Sequence, residues 1–175
     1  MLPWPFFVGA LTLSFIRRMD SLSDALAAVA GFLIAVATLV ICWMVAYRTM
    51  GYSTSWELEL GIFLMVCALF LGSPYTLKTK GHVGVDLMAS MLPDRYARSL
   101  QLGVLVVGLL VVVFLAWLGF EFSLHAFEKG ERTESVWAPY KWPLYATMPI
   151  GFGITALQYL AEIQRHLLRL EAPHE

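Results

Sequence analysis

Charged residues fall in clusters along this chain, and four uncharged runs separate them. The first, residues 25–47, lies between Asp24 and Arg48, and the second, 60–77, between Glu59 and Lys78. The third, 99–120, lies between Arg98 and Glu121, and the fourth, 142–161, between Lys141 and Glu162. As helices these runs measure roughly 27–35 Å, against a hydrocarbon core of about 30 Å. Lipid offers no partner to a bare backbone, so the runs are predicted to be four transmembrane helices.

The segments between them carry their own patterns. In the first sixteen residues, MLPWPFFVGALTLSFI, there is no charge, and Arg17 and Arg18 follow. Pro3 and Pro5 confine a predicted helix to about residues 6–16, roughly 16 Å, which is too short to cross a bilayer. The segment also lacks the basic start of a signal peptide. The expectation is an interfacial arm over residues 1–23, a four-helix membrane domain over 24–165, and a cytoplasmic tail over 166–175. Between the second and third runs, Val85, Met88 and Leu92 recur at helical spacing, with Asp86 and Ser90 mostly elsewhere. That pattern predicts a short amphipathic helix on the membrane surface, ended by Pro93. The third run continues in register to Phe127 and stops near Gly130, a suitable C′ residue. From Asp94 onward it predicts a helix of roughly 54 Å, which must tilt in the bilayer or project from it. Pro143 suits a first turn, and Pro149 suits a kink.

Small residues at a spacing of four mark two helices: Ala27, Gly31 and Ala35 in the first, and Thr147, Gly151 and Thr155 in the fourth. Such stripes allow helices to approach backbone to backbone.

Composition agrees with this class. The chain is 59% hydrophobic and 14% charged, where soluble domains carry about 25% charged residues. A net charge of −1 gives no reason to expect nucleic-acid binding. The distribution of charge says more. With four spans, Arg17, Arg18, Lys78, Lys80, Arg95, Arg98, Arg165 and Arg169 share one side, eight against four on the other. The positive-inside rule then places both termini in the cytoplasm of a bacterial inner-membrane protein.

The chemistry is sparse. Cys42 and Cys67 lie inside runs and read as free thiols. The four histidines all lie outside the runs. His82 with Asp86, and Glu121 with His125, are each four apart, a spacing that makes local hydrogen bonds and a poor metal site. No acid or base lies within a run, as a self-sufficient carrier would need at mid-membrane. No catalytic, metal or substrate site is expected in this chain.

A series of short motifs, in order, resembles the small membrane subunit of tripartite ATP-independent periplasmic (TRAP) transporters, the DctQ-like type. It runs Trp56-x-x-Glu59-Leu60, Phe70-Leu71-Gly72, Gly81-His82-Val83-x-Val85-Asp86-Leu87, Leu92-Pro93, Gly130-Glu131-Arg132, Trp142-Pro143, Pro149-Ile150-Gly151-Phe152 and Leu157-Gln158. The resemblance implies a static scaffold in stable complex with a larger permease, which holds the substrate and sodium sites. It also implies a periplasmic binding protein that delivers an organic acid or related solute in transient contact, and no cofactor in this chain. Trp137, Tyr140 and Trp142 of the outer loop read either as interface anchors or as a contact for that binding protein. The alternative to the scaffold is a stand-alone small carrier working as a homo-oligomer.

Overall fold

The computed structural model describes residues 4–52, 55–79 and 94–171. They form four helices: α1 Trp4–Thr49, α2 Glu57–Lys78, α3 Asp94–Glu128 and α4 Trp142–Glu171. The expected surface helix, with His82, Val85, Asp86, Met88 and Leu92, lies outside the described residues.

The first helix corrects an expectation. No break separates an arm from a span: α1 is one helix of 46 residues, about 69 Å long. Pro5 sits in its first turn, where a missing N–H costs nothing, and no proline follows before Thr49. Arg17, Arg18, Asp20 and Asp24 ride on its surface without interrupting it. The third helix ends as expected. Glu131 N donates to Ala126 O at 3.0 Å and Gly130 N to Phe127 O at 3.2 Å, with Gly130 at φ +59°. That is a Schellman closure, which requires the left-handed conformation glycine adopts cheaply. In α4, Pro143 lies in the first turn and the helix continues through Pro149.

Three helical stretches, Leu13–Thr49, Glu57–Lys78 and Ser99–Glu128, are long and apolar enough to cross a membrane. The fourth helix is the more polar one and sits at the centre. It packs on α1, α2 and α3, while α3 packs on α4 alone among the described residues. The interior is built of small groups: Ala30, Ala37, Ala68, Ala126 and Ala161 are buried. Large side chains such as Phe32, Leu39, Leu69, Phe114 and Trp117 point outward, each more than 60% exposed. Water would not tolerate that inversion, whereas lipid does, since helices there associate through close packing and hydrogen bonds.

Candidate functional site

Packing begins with α1 against α2. A Cβ placed on Gly72 would sit 3.6 Å from Ala30 Cβ, and one on Gly61 would sit 3.3 Å from Ile41 Cγ1. Lys78 Nζ reaches Asp24 Oδ1 at 2.5 Å. Going up α1 from Asp24 through Ala30 to Ile41 means going down α2 from Lys78 through Gly72 to Gly61 by the same number of residues. That is the register of a straight antiparallel pair. On α1 the inward residues are Ile16, Ser23, Ala30 and Ala37, a repeat of seven.

A polar seam joins α4 to both partners. Thr147, Gly151, Thr155, Gln158, Glu162 and Arg165 are spaced by three or four and share one face. Near mid-helix the seam meets Pro74 of α2, which is buried and has no N–H to offer Phe70 O. Ser73 Oγ donates to that carbonyl at 2.9 Å and lies 2.5 Å from Thr155 Oγ1. Gly151 rests against the same peptide: a Cβ there would be 2.5 Å from Phe70 O. The Phe70 and Phe152 rings meet edge to face at 5.2 Å. Ser73 of α2 thus satisfies the carbonyl that the proline leaves without its helical donor, and the seam meets α2 at that serine.

Toward the opposite end from the outer loop, the seam becomes ionic. Ser23 Oγ donates to Gln158 Oε1 and Gln158 Nε2 donates to Asp20 Oδ1, both at 3.1 Å. Arg165 bridges Asp20 Oδ2 at 2.7 Å and Glu162 Oε2 at 2.8 Å. Lys78 Nζ also donates to Asp20 O at 3.3 Å. Three helices are tied at one level. Ser23 and Gln158 are fully buried there, and a buried polar pair holds a helix position more specifically than apolar contact does. The stripe read from the sequence ends at Thr155, and Gln158 enters there only through the Leu157-Gln158 motif, without Ser23 or Asp20; mixed steps of three and four beyond Thr155 reach Gln158, Glu162 and Arg165.

The third helix is seated on α4 by glycine. A Cβ on Gly108 would meet the Tyr159 ring at 2.7 Å, and one on Gly119 would meet Met148 Cβ at 2.9 Å and Pro149 Cδ at 3.3 Å. The pair closes at the outer end where Phe127 and Trp142 meet edge to face at 5.6 Å.

The remaining expected residues face outward or cap the outer end. Gly31 and Ala35 are exposed, and nothing lies within 4 Å of a Cβ on Gly31; Ala27 is half-buried. With Ala28, Thr38, Cys42 and Ala46 they form a small-residue strip that flanks the buried row and runs beside the exposed Phe32 and Leu39. So Gly31 and Ala35 of that stripe pack on nothing among the described residues, whereas Thr147–Gly151–Thr155 packs on α2. Trp56 precedes α2 and is 41% exposed. Glu59 accepts from Ser135 of the outer loop at 2.5 Å. In that loop Arg132 donates to Tyr140 Oη, and its guanidinium lies 4.2 Å from the Tyr140 ring centre. Glu57, in the first turn of α2, is buried, and its Oε2 has no hydrogen-bond partner. Cys42 and Cys67 are both free. Among the described residues no group of His, Cys, Asp and Glu is placed to hold a metal.

Residues 37–169 match the family described as tripartite ATP-independent periplasmic transporters, DctQ component. Two curated relatives agree. The C4-dicarboxylate TRAP transporter small permease protein DctQ of Rhodobacter capsulatus is 29% identical over 129 residues, covering 73% of this chain and 56% of the relative. The ectoine TRAP transporter small permease protein TeaB of Halomonas elongata is 25% identical over 125 residues, covering 71% and 64%. A third, the isethionate TRAP transporter permease protein DctMQ of Oleidesulfovibrio alaskensis, is 22% identical over 142 residues, covering 77% of this chain and 22% of that much longer protein. The match therefore spans between half and two thirds of the first two relatives. With the family match covering most of its length, the chain belongs to the DctQ-component family of tripartite ATP-independent periplasmic transporters.

Proposed function

We propose that this chain is the small membrane subunit of a TRAP-type secondary transporter and works there as a static scaffold. The family match over residues 37–169 carries the reading. In it all four helices cross the inner membrane, the more polar α4 shielded within the bundle, and both termini are cytoplasmic by the charge count. Substrate and sodium are handled by a larger permease, and a periplasmic binding protein delivers the solute. Most of the isethionate relative lies outside the matched region, which is what a small and a large permease part in one chain would look like. The three relatives are named for a dicarboxylate, ectoine and isethionate, chemically different solutes. Specificity held by the partners accounts for that spread, and the solute of the present system is an organic acid or a related compound.

The structure supports a supporting role in two ways. Of the buried polar side chains, Ser23, Thr155 and Gln158 are bound to one another, to Ser73 or to neighbouring backbone and so serve packing, with Glu57 the exception among the described residues. The outward surface of α1 carries a strip of small residues beside Phe32 and Leu39, a surface suited to another membrane helix. The test is co-purification with the larger permease through a tag on this chain. Gly31→Phe should leave this subunit folded, since its site is open, and should reduce the recovered permease several-fold. Full recovery with Gly31→Phe would remove that face from the interface. A small subunit that transports solute in proteoliposomes by itself would overturn the scaffold role.

A further inference from the structure

The outer loop, residues 129–141, is more ordered than a connection between two helices needs to be. Arg132 pairs with Tyr140 in an isolated antiparallel bridge, flanked by Lys141 N to Glu131 O at 3.0 Å and Thr133 N to Pro139 O at 3.1 Å. At the tip Ser135 Oγ accepts from Ala138 N at 3.1 Å and donates to Glu59 Oε2 of α2. Ala138 is held at φ +46°, a left-handed conformation that disfavours any residue with a Cβ and persists only where the surroundings enforce it. One serine thus closes the turn and fastens it to a helix.

The turn so fixed presents two apolar side chains at the surface, Val136 almost free of the protein and Trp137 about half covered by it. Val136 is 90% exposed and Trp137 46%. Their level follows from the fastening: Glu59 is the last charged residue before the uncharged run of α2 begins at Leu60. The same end of the molecule carries a stacked series, Trp43 on Tyr47 on Tyr52, with ring centres 5.8 and 4.8 Å apart. Aromatic side chains at the ends of apolar helices sit in the headgroup zone, where an amphipathic ring is most stable.

We propose that the Val136–Trp137 tip is a lipid anchor, seated in the headgroup–acyl boundary of the outer leaflet and aimed there by the Ser135–Glu59 hydrogen bond. The partner is the phospholipid bilayer, and the inference rests on α2 crossing the membrane. It gives Glu59 a positioning role.

Site-directed spin labelling of the complex with the larger permease, in phosphatidylcholine nanodiscs, tests this. Cys42 and Cys67 are first replaced by alanine, and single labels are placed through Val136→Cys, Glu134→Cys and Leu69→Cys. Accessibility is read with oxygen, which partitions into lipid, and with a water-soluble nickel chelate. The Val136 label should favour oxygen, with nickel access several-fold below that of Glu134, and adding Ser135→Ala should raise its nickel access toward the Glu134 value. Equal nickel access at 136 and 134 overturns the anchor, and so does a label shielded from both reagents or one shielded only after the periplasmic binding protein is added. An unchanged reading with Ser135→Ala overturns the aiming role. The Leu69 label, on the outward face of α2, separates the two levels of the argument: nickel access there would mean that α2 does not cross the membrane.

Discussion

The third and fourth helices are neighbours of similar length, and different forces hold them. On α4 a stripe of hydroxyl, amide and charged groups engages α1 and α2 from mid-helix to one end. On α3 the face toward α4 offers Gly108 and Gly119, and the rest is covered with exposed Val107, Leu110, Phe114 and Trp117. Hydrogen bonds fix rotation and register, whereas glycine contacts fix only distance. So α4 is the hub that sets the geometry, and α3 is the helix whose outer surface is free to meet lipid or a partner. A chain with no charged residue within its apolar runs still carries a directional interior, because Ser, Thr and Gln supply it without charge.

The strongest way to break this comparison is to place a side chain at each kind of glycine. At Gly151 a new Cβ meets the Phe70 peptide at 2.5–2.8 Å, and backbone cannot step aside. Gly151→Val should lower stability by about 3 kcal/mol, the upper part of the range for overpacking, and should separate α4 from α2. Gly103 on α3 has nothing within 4 Å of its Cβ, so Gly103→Val should stay within about 0.5 kcal/mol of the parent. Thermal unfolding in detergent, with size-exclusion profiles, reads both. Equal effects would mean that the close approach of Gly151 to the Phe70 peptide does not organise the bundle.

The next step removes hydrogen bonds and leaves shape. Gln158→Leu keeps volume and deletes the links to Ser23 and Asp20. Interhelical hydrogen bonds in membranes average about 0.6 kcal/mol, and a buried group left without its partner adds about 1–3 kcal/mol. We expect a loss of about 1–2 kcal/mol, measured by the same unfolding assay. Leu110→Ala on the outward face of α3 should cost far less. If Leu110→Ala proved the more damaging, apolar contact rather than the seam would be organising the bundle.

Legibility in the sequence followed the same division. The apolar runs read off as helices because charge is excluded from them: α2 begins and ends within three residues of its run, and α3 starts at Asp94 and is closed by Gly130 as the pattern suggests, whereas α4 starts with its run but continues ten residues beyond it to Glu171. The α1 bounds do not, because a proline that resembles a late start can occupy a first turn, and the charges from Arg17 to Asp24 resemble an end that the helix runs through. The small-residue stripes were visible but not their direction. Thr147–Gly151–Thr155 and Ala27–Gly31–Ala35 look alike in sequence, yet one packs on α2 and the other faces away. Direction is set by partners far along the chain: Ser23 and Gln158 are 135 residues apart. No local spacing carries that information.

The smallest expected effect contrasts the two largest buried polar side chains. Gln158 and Glu57 are each 1% exposed, but Gln158 is bonded on both of its amide atoms and Glu57 Oε2 is not bonded at all. A position in the first turn of a helix favours a carboxylate by roughly 0.3–1 kcal/mol. Burying a charged oxygen without a partner costs more than that, even after the structure has relaxed around it. The balance leaves Glu57 as a liability for folding, so Glu57→Gln should raise stability by about 1 kcal/mol at neutral pH in detergent, opposite in sign to Gln158→Leu. A lowered midpoint for Glu57→Gln would show that the carboxylate is held within the isolated subunit and is no liability. Repeating the measurement on the complex with the larger permease would reveal whether a donor on that subunit completes the site. The two substitutions together ask whether every buried polar group in this bundle is glue, or whether one is kept for a partner.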